Sequence, residues 1–123
     1  MRAVKSKNTA PEVLLRKALF KLGFRYRLHS KFLPGSPDIV FRKKKKVIFV
    51  NGCFWHGHSC KRGSRMPKTN VEYWQKKIQN NRTRDERNLG LINGEGWSAF
   101  VVWECELKEI ELLIPKVIQF LSS

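Results

Sequence analysis

A mixed α/β fold, a central sheet flanked by helices within one domain spanning residues 1–123, is what this sequence predicts, and three observations predict it. The hydrophobic periodicity switches between helical and strand spacing in the order α-β-β-β-α-β-α. A hydrophobic fraction of 41%, with four Trp and eight Phe, supplies a core that a disordered basic chain would lack. No internal repeat or linker divides the 123 residues, a length that suits a single modest core.

The first helix is expected over about 10–22. Thr9-Ala10-Pro11-Glu12 has the form of a capping box, Leu14, Leu15, Ala18, Leu19 and Leu22 recur at helical spacing, and Gly23 terminates. Phe24 to Leu28 alternates as a short strand. Two prolines make Leu33-Pro34-Gly35-Ser36-Pro37 a turn. Strands at 38–41 and 47–50 then form a hairpin tipped by the charge run Arg42 to Lys46, read either as a solvated turn or as a phosphate contact. A second helix is expected over about 70–91, a strand over 98–103 after the turn Gly94-Glu95-Gly96, and a last helix over about 107–121. Its apolar positions are 107, 110, 113, 114, 117, 118 and 121, and Pro115 kinks it or marks its true start.

Charge narrows the function. The net charge is +15 at a pI near 10.3, and the excess is uneven: residues 1–50 hold 14 basic and two acidic side chains, whereas residues 101–123 hold two and four. Such a surface seeks a polyanion, and a nucleic-acid backbone is the commonest one. No apolar run approaches the roughly 18 residues a membrane span needs, and the amino end has no hydrophobic signal region. The chain is therefore expected to be soluble, intracellular and without a membrane partner.

Three segments carry chemistry. Cys53, His56, His58 and Cys60 crowd into eight residues. Cys53, His58 and Cys60 have the spacing of a metal loop, and Cys105 is the remaining thiol that would complete a closed, structural Cys3His zinc site; buried free thiols are the alternative. His56 follows the adjacent rings Phe54 and Trp55, of which at least one is expected at the surface, where it could wedge between bases. His56 itself is either a solvent-exposed side chain or a proton carrier. In the second helix, residues 79–88 contain no apolar side chain, and Trp74, Lys77 and Asn81 share one face, giving either a half-exposed helix or a ligand-facing one. Glu12 and Asp38 are the only acids among the first 50 residues, and a carboxylate is the donor a hard cation such as Mg2+ requires.

These residues resemble a known family, the very-short-patch-repair (Vsr) DNA mismatch endonucleases. The resemblance runs through residues 6–12, Leu33-Pro34-Gly35-Ser36-Pro37-Asp38, residues 47–56 and Val101-Val102-Trp103-Glu104-Cys105. It implies a restriction-endonuclease-like fold with a structural zinc loop, and Mg2+-dependent nicking of one strand 5′ of the thymine in a T·G mismatch left by deaminated 5-methylcytosine. Carried over by position, Asp38 and the Val50 carbonyl would contact Mg2+, Glu12 would hold metal-bound water, and His56, oriented by Asp85, would activate the attacking water. Cys53, His58, Cys60 and Cys105 would hold Zn2+. Phe54, Trp55 and Trp74 resemble a mismatch wedge, and Lys77 and Asn81 readers of the mismatched pair. The implied partners are double-stranded DNA with a T·G mismatch, mismatch-repair proteins and a repair DNA polymerase, for a monomer in the bacterial cytoplasm at the nucleoid.

Two departures qualify the resemblance. Many members have histidine before Gly52, whereas Asn51 can hydrogen-bond a phosphate but cannot transfer a proton, which shifts weight to His56. Members often carry an amino-terminal arm that clamps DNA, and this chain starts almost at the first helix, so omitted residues or a weaker grip is expected. The competing readings are a non-catalytic, zinc-stapled DNA-binding module and a related nuclease with a different target.

Overall fold

Leu15 and Leu19, one helical turn apart, are fully buried and give the first helix, α1 (Ala10–Lys21), its inward face. The structure, a computed structural model, describes residues 10–29, 32–52 and 69–122. Leu14 and Leu22 share the expected apolar spacing but lie about half exposed, because the stripe that meets the sheet is narrower than the run of leucines. Gly23, at φ +96, ends the helix in a conformation that L side chains disfavour, and the last turn is closed by the Leu22 N–H donating to Ala18 O at 3.2 Å and the Phe24 N–H to Leu19 O at 3.1 Å.

Of the strand expected over 24–28, only β1 (Arg27–Leu28) pairs. The preceding residues are fixed by rings instead: Phe24 and Tyr26 each meet Phe41 edge-on, at 6.3 and 6.1 Å. β1 runs antiparallel to β2 (Ile39–Phe41), and β2 runs antiparallel to β3 (Lys46–Asn51) with Ile39 opposite Ile48. β3 lies parallel to β4 (Ser98–Trp103), so the sheet order is β1-β2-β3-β4. A parallel pair needs a crossover, which contains α2 (Val71–Gly94). After β4 come a 3-10 turn (Glu104–Glu109) and α3 (Ile110–Ser122).

The two faces of the sheet carry separate cores. Ile39, Phe41, Ile48 and Val102 pack with Leu15 and Leu19 of α1 and with Leu113, Val117 and Leu121 of α3. Val40 and Val47, pointing the other way as strand alternation requires, pack with Ile92 of α2. The result is the mixed α/β sheet flanked by helices that periodicity predicts. The zinc loop of that prediction lies, apart from Cys105, outside the described residues.

Two local expectations change. The segment predicted to open the last helix at Leu107 is a 3-10 turn, and α3 begins at Ile110 with Pro115 inside it. The charge run is not five tip cations: Arg42 to Lys45 form an exposed turn, but Lys46 is buried in β3. Its Nζ donates to Phe120 O at 2.6 Å and sits 5.3 Å from the Phe120 ring, which compensates the burial of its charge.

Candidate active site

Glu12 stands in the first turn of α1, where its charge suits the helix dipole, yet its side chain is only 1% exposed. A carboxylate buried to that extent needs partners. Arg16, one turn on, donates from Nη1 to Glu12 Oε2 at 2.8 Å, and His29 Nε2 lies 2.8 Å from the same oxygen. The helix is latched to the strand that delivers His29, since Tyr26 OH donates to Arg16 O at 2.8 Å.

His29 follows β1 in the left-handed region, at φ 52, an uncommon conformation for a residue with a side chain. Its N–H donates to Asp38 O at 3.1 Å, so the same residue is anchored by its backbone to Asp38 and by its ring to Glu12. Asp38 immediately precedes β2, and its Oδ2 accepts the Val50 N–H at 2.7 Å. That bond closes the end of the β2–β3 ribbon with a side chain in place of a ladder partner. The potential ligand atoms of Glu12, His29 and Asp38 all lie within 4.8 Å of one another.

The electrostatics follow from this crowding. Asp38 is pushed up from the ordinary 3.8 to about 6, chiefly because burial disfavours the charged carboxylate. The Val50 N–H works in the opposite direction, the negative Glu12 adds to the rise, and His29 opposes it. Two carboxylates and an imidazole converging in a poorly solvated corner suit a divalent cation, whose charge would relieve the repulsion between the acids.

Of the residues singled out from sequence, Glu12, Asp38 and the Val50 backbone come together here. His29 joins them without having been foreseen. Its only sequence signal is that it is the one histidine outside the 53–60 cluster. On α2, Trp74, Asn81 and Asp85 are half-buried and Lys77 is exposed, with its Nζ 5.8 Å from the Tyr73 ring. Asn81 Oδ1 accepts from Arg84 at 2.6 Å. Further along this helix, Asn88 borders Gly35, three residues before Asp38. Asn51 ends β3 opposite Trp103, and Cys105 sits half-buried in the 3-10 turn two residues beyond. Cys53, Phe54, Trp55, His56, His58 and Cys60 lie outside the described residues.

Comparison with known proteins identifies the family. Residues 1–62 match the family described as DNA mismatch endonuclease Vsr. The chain is 50% identical over 113 residues to the type II nicking enzyme V.XorIIP of Xanthomonas oryzae pv. oryzae, which covers 92% of this chain and 82% of that protein. It is 51% identical over 108 residues to the type II nicking enzyme V.NmeAIP of Neisseria meningitidis serogroup A, covering 88% and 76%. It is 38% identical over 118 residues to the DNA mismatch endonuclease Vsr of Escherichia coli (strain K12), covering 96% and 75%. With half the chain matching the family and such identities sustained across most of its length, this protein belongs to the Vsr family of DNA mismatch endonucleases and is itself a DNA endonuclease.

Proposed function

We propose that this endonuclease nicks one strand of duplex DNA 5′ of the thymine in a T·G mismatch, the product of 5-methylcytosine deamination, using Mg2+ held at Asp38 and the Val50 carbonyl. The observation that carries the reading is the meeting of Glu12 and Asp38 in a buried corner, with the Val50 amide fixed on Asp38 at 2.7 Å. The β2–β3 register, extended by two residues, sets Pro37 opposite Val50. Proline has no N–H, so no ladder hydrogen bond can reach the Val50 carbonyl from that position. When bound, Mg2+ would polarise a phosphodiester oxygen and offset the charge that develops as the P–O bond breaks.

The protein's own groups divide the remaining work. Asp38, locked by Val50, presents an oxygen, while Glu12, held by Arg16 and His29, orients a water. His56 takes the proton of the attacking water and is oriented by Asp85, and Asn51 hydrogen-bonds a phosphate. Phe54, Trp55 and Trp74 act as the wedge beside the mismatch, and Lys77 and Asn81 read the mismatched pair. Cys53, His58, Cys60 and Cys105 hold a structural Zn2+. That set is supported by the register, because Asn51 pairs with Trp103 and both Cys53 and Cys105 follow two residues later. The enzyme works as a monomer in the bacterial cytoplasm, on nucleoid DNA, and hands its nick to mismatch-repair proteins and a repair polymerase.

A nicking assay on end-labelled duplexes with Mg2+ tests the reading. The T·G duplex is cut on the thymine strand and its fully paired counterpart is not, and Asp38→Ala lowers the rate by more than about a hundredfold. Cleavage of both duplexes alike would replace the mismatch reading with a nuclease of another target. No cleavage in either Mg2+ or Mn2+ would remove the catalytic one.

A further inference from the structure

The two carboxylates of the buried corner each have a part in the proposed cleavage, whereas the imidazole beside them has so far only held Glu12. His29 Nε2 stands 2.8 Å from Glu12 Oε2, and its side chain is only 14% exposed. The placement is costly to hold. The backbone of His29 lies at φ 52, and its N–H is committed to Asp38 O at 3.1 Å. A hydrogen bond from a histidine to a glutamate alone could be made from many backbone positions. Here the ring is turned into a cluster whose three potential ligand atoms lie within 4.8 Å of one another. Two adjacent ligands of an octahedral ion, each at roughly 2.0–2.2 Å from it, are themselves about 3 Å apart. The His29–Glu12 hydrogen bond thus already holds the nitrogen and the oxygen at close to that edge.

We infer that His29 supplies a nitrogen ligand to the cation of the Glu12–Asp38 site, so that the site takes a first-row transition-metal ion such as Mn2+ in preference to Mg2+. This rests on Asp38 holding the cation, as proposed above, and goes further in making Glu12 a direct ligand rather than only the holder of a water. Mg2+ favours oxygen donors and retains its water, whereas imidazole is a donor for the transition metals. The donor set of two carboxylate oxygens and one ring nitrogen is therefore mixed, and the nitrogen contributes to binding of one class of ion far more than of the other.

Mn2+ is the probe, because it is paramagnetic and binds too weakly to displace zinc from thiolates. In the protein as purified, pulsed electron paramagnetic resonance of bound Mn2+ is expected to show modulation from a coordinated nitrogen. His29→Ala and His29→Gln both remove it, while His56→Ala keeps it. Both His29 variants raise the Mn2+ dissociation constant about tenfold or more, with the Mg2+ constant changing less than about threefold. Unchanged far-UV circular dichroism verifies that the variants fold. If the modulation survives in His29→Ala, or if His29→Gln retains wild-type Mn2+ affinity, His29 only positions Glu12 and the ligand assignment is overturned. Asp38→Asn separates the two layers: Mn2+ binding that is indifferent to Asp38→Asn refutes the metal site itself, not merely the role of His29.

Discussion

Asp38 ties the chemistry of the site to pH. Its carboxyl is raised to about 6 from 3.8, chiefly by burial, so between those values the folded protein keeps a proton that the unfolded chain has already lost. The stabilisation is complete below about pH 4 and is lost as pH climbs through about 6. Thermal unfolding without added divalent ion should thus show a melting temperature that falls across this interval, and Asp38→Asn should flatten the slope. Divalent-ion affinity runs the other way, because a ligand carboxyl must be deprotonated, and it should rise through about pH 6. A wild-type profile flat in both measurements would contradict the burial of Asp38. The acid could be suspected from sequence, as one of only two in the basic half, whereas its raised pKa could not, since it depends on what covers it. His29 shows the same divide more sharply: nothing in Leu28-His29 distinguishes a surface histidine from one aimed at a buried glutamate.

Among the elements, the junction between the Pro34–Pro37 turn and α2 is where local and non-local demands coincide. Gly35 has φ +79, and a Cβ there would stand 3.1 Å from Asn88 Cβ on α2 and from the Phe49 ring. Gly35→Ala meets both a disfavoured backbone and a crowded wall, so it should cost more than about 1 kcal/mol in denaturant unfolding. A cost near zero would mean that the turn and α2 do not pack closely. The turn itself was legible, because Pro and Gly punctuate a chain by local sterics. The contact with Asn88 was not, and it explains part of the apolar gap in α2: between Ile78 and Ile92 the helix is half-buried through Asn81, Asp85, Asn88 and Leu89 rather than through a continuous apolar stripe. Lys46 is the reverse case. The charge run suggested solvent or a phosphate, but the partner that accepts its ammonium, Phe120 O, lies 74 residues away.

For the molecule as a whole, charge and metal play different parts. The +15 explains attraction to DNA, and the exposed Arg42–Lys45 turn stands at the end of the β2–β3 ribbon opposite Asp38 and Val50. The proposed zinc would brace the Asp38 end of the fold. Cys105→Ser should lower the zinc content measured by native mass spectrometry from one ion to none and reduce thermal stability, since structural zinc contributes directly to folding. Full zinc occupancy in the variant would exclude Cys105 as a ligand. Periodicity, turn residues and motif spacing are local properties of the chain, so the helices, the strands, the α/β class and the candidacy of Glu12 and Asp38 as metal carboxylates could be read from the string of residues alone. Convergence is not local. Glu12 and His29 are 17 residues apart, and they meet Asp38 only because β1 pairs with β2 while α1 packs against the same sheet. The site's third donor, the pKa of its acid and the burial of Lys46 were therefore decided by tertiary packing, which sets the distances and the dielectric that chain order leaves open.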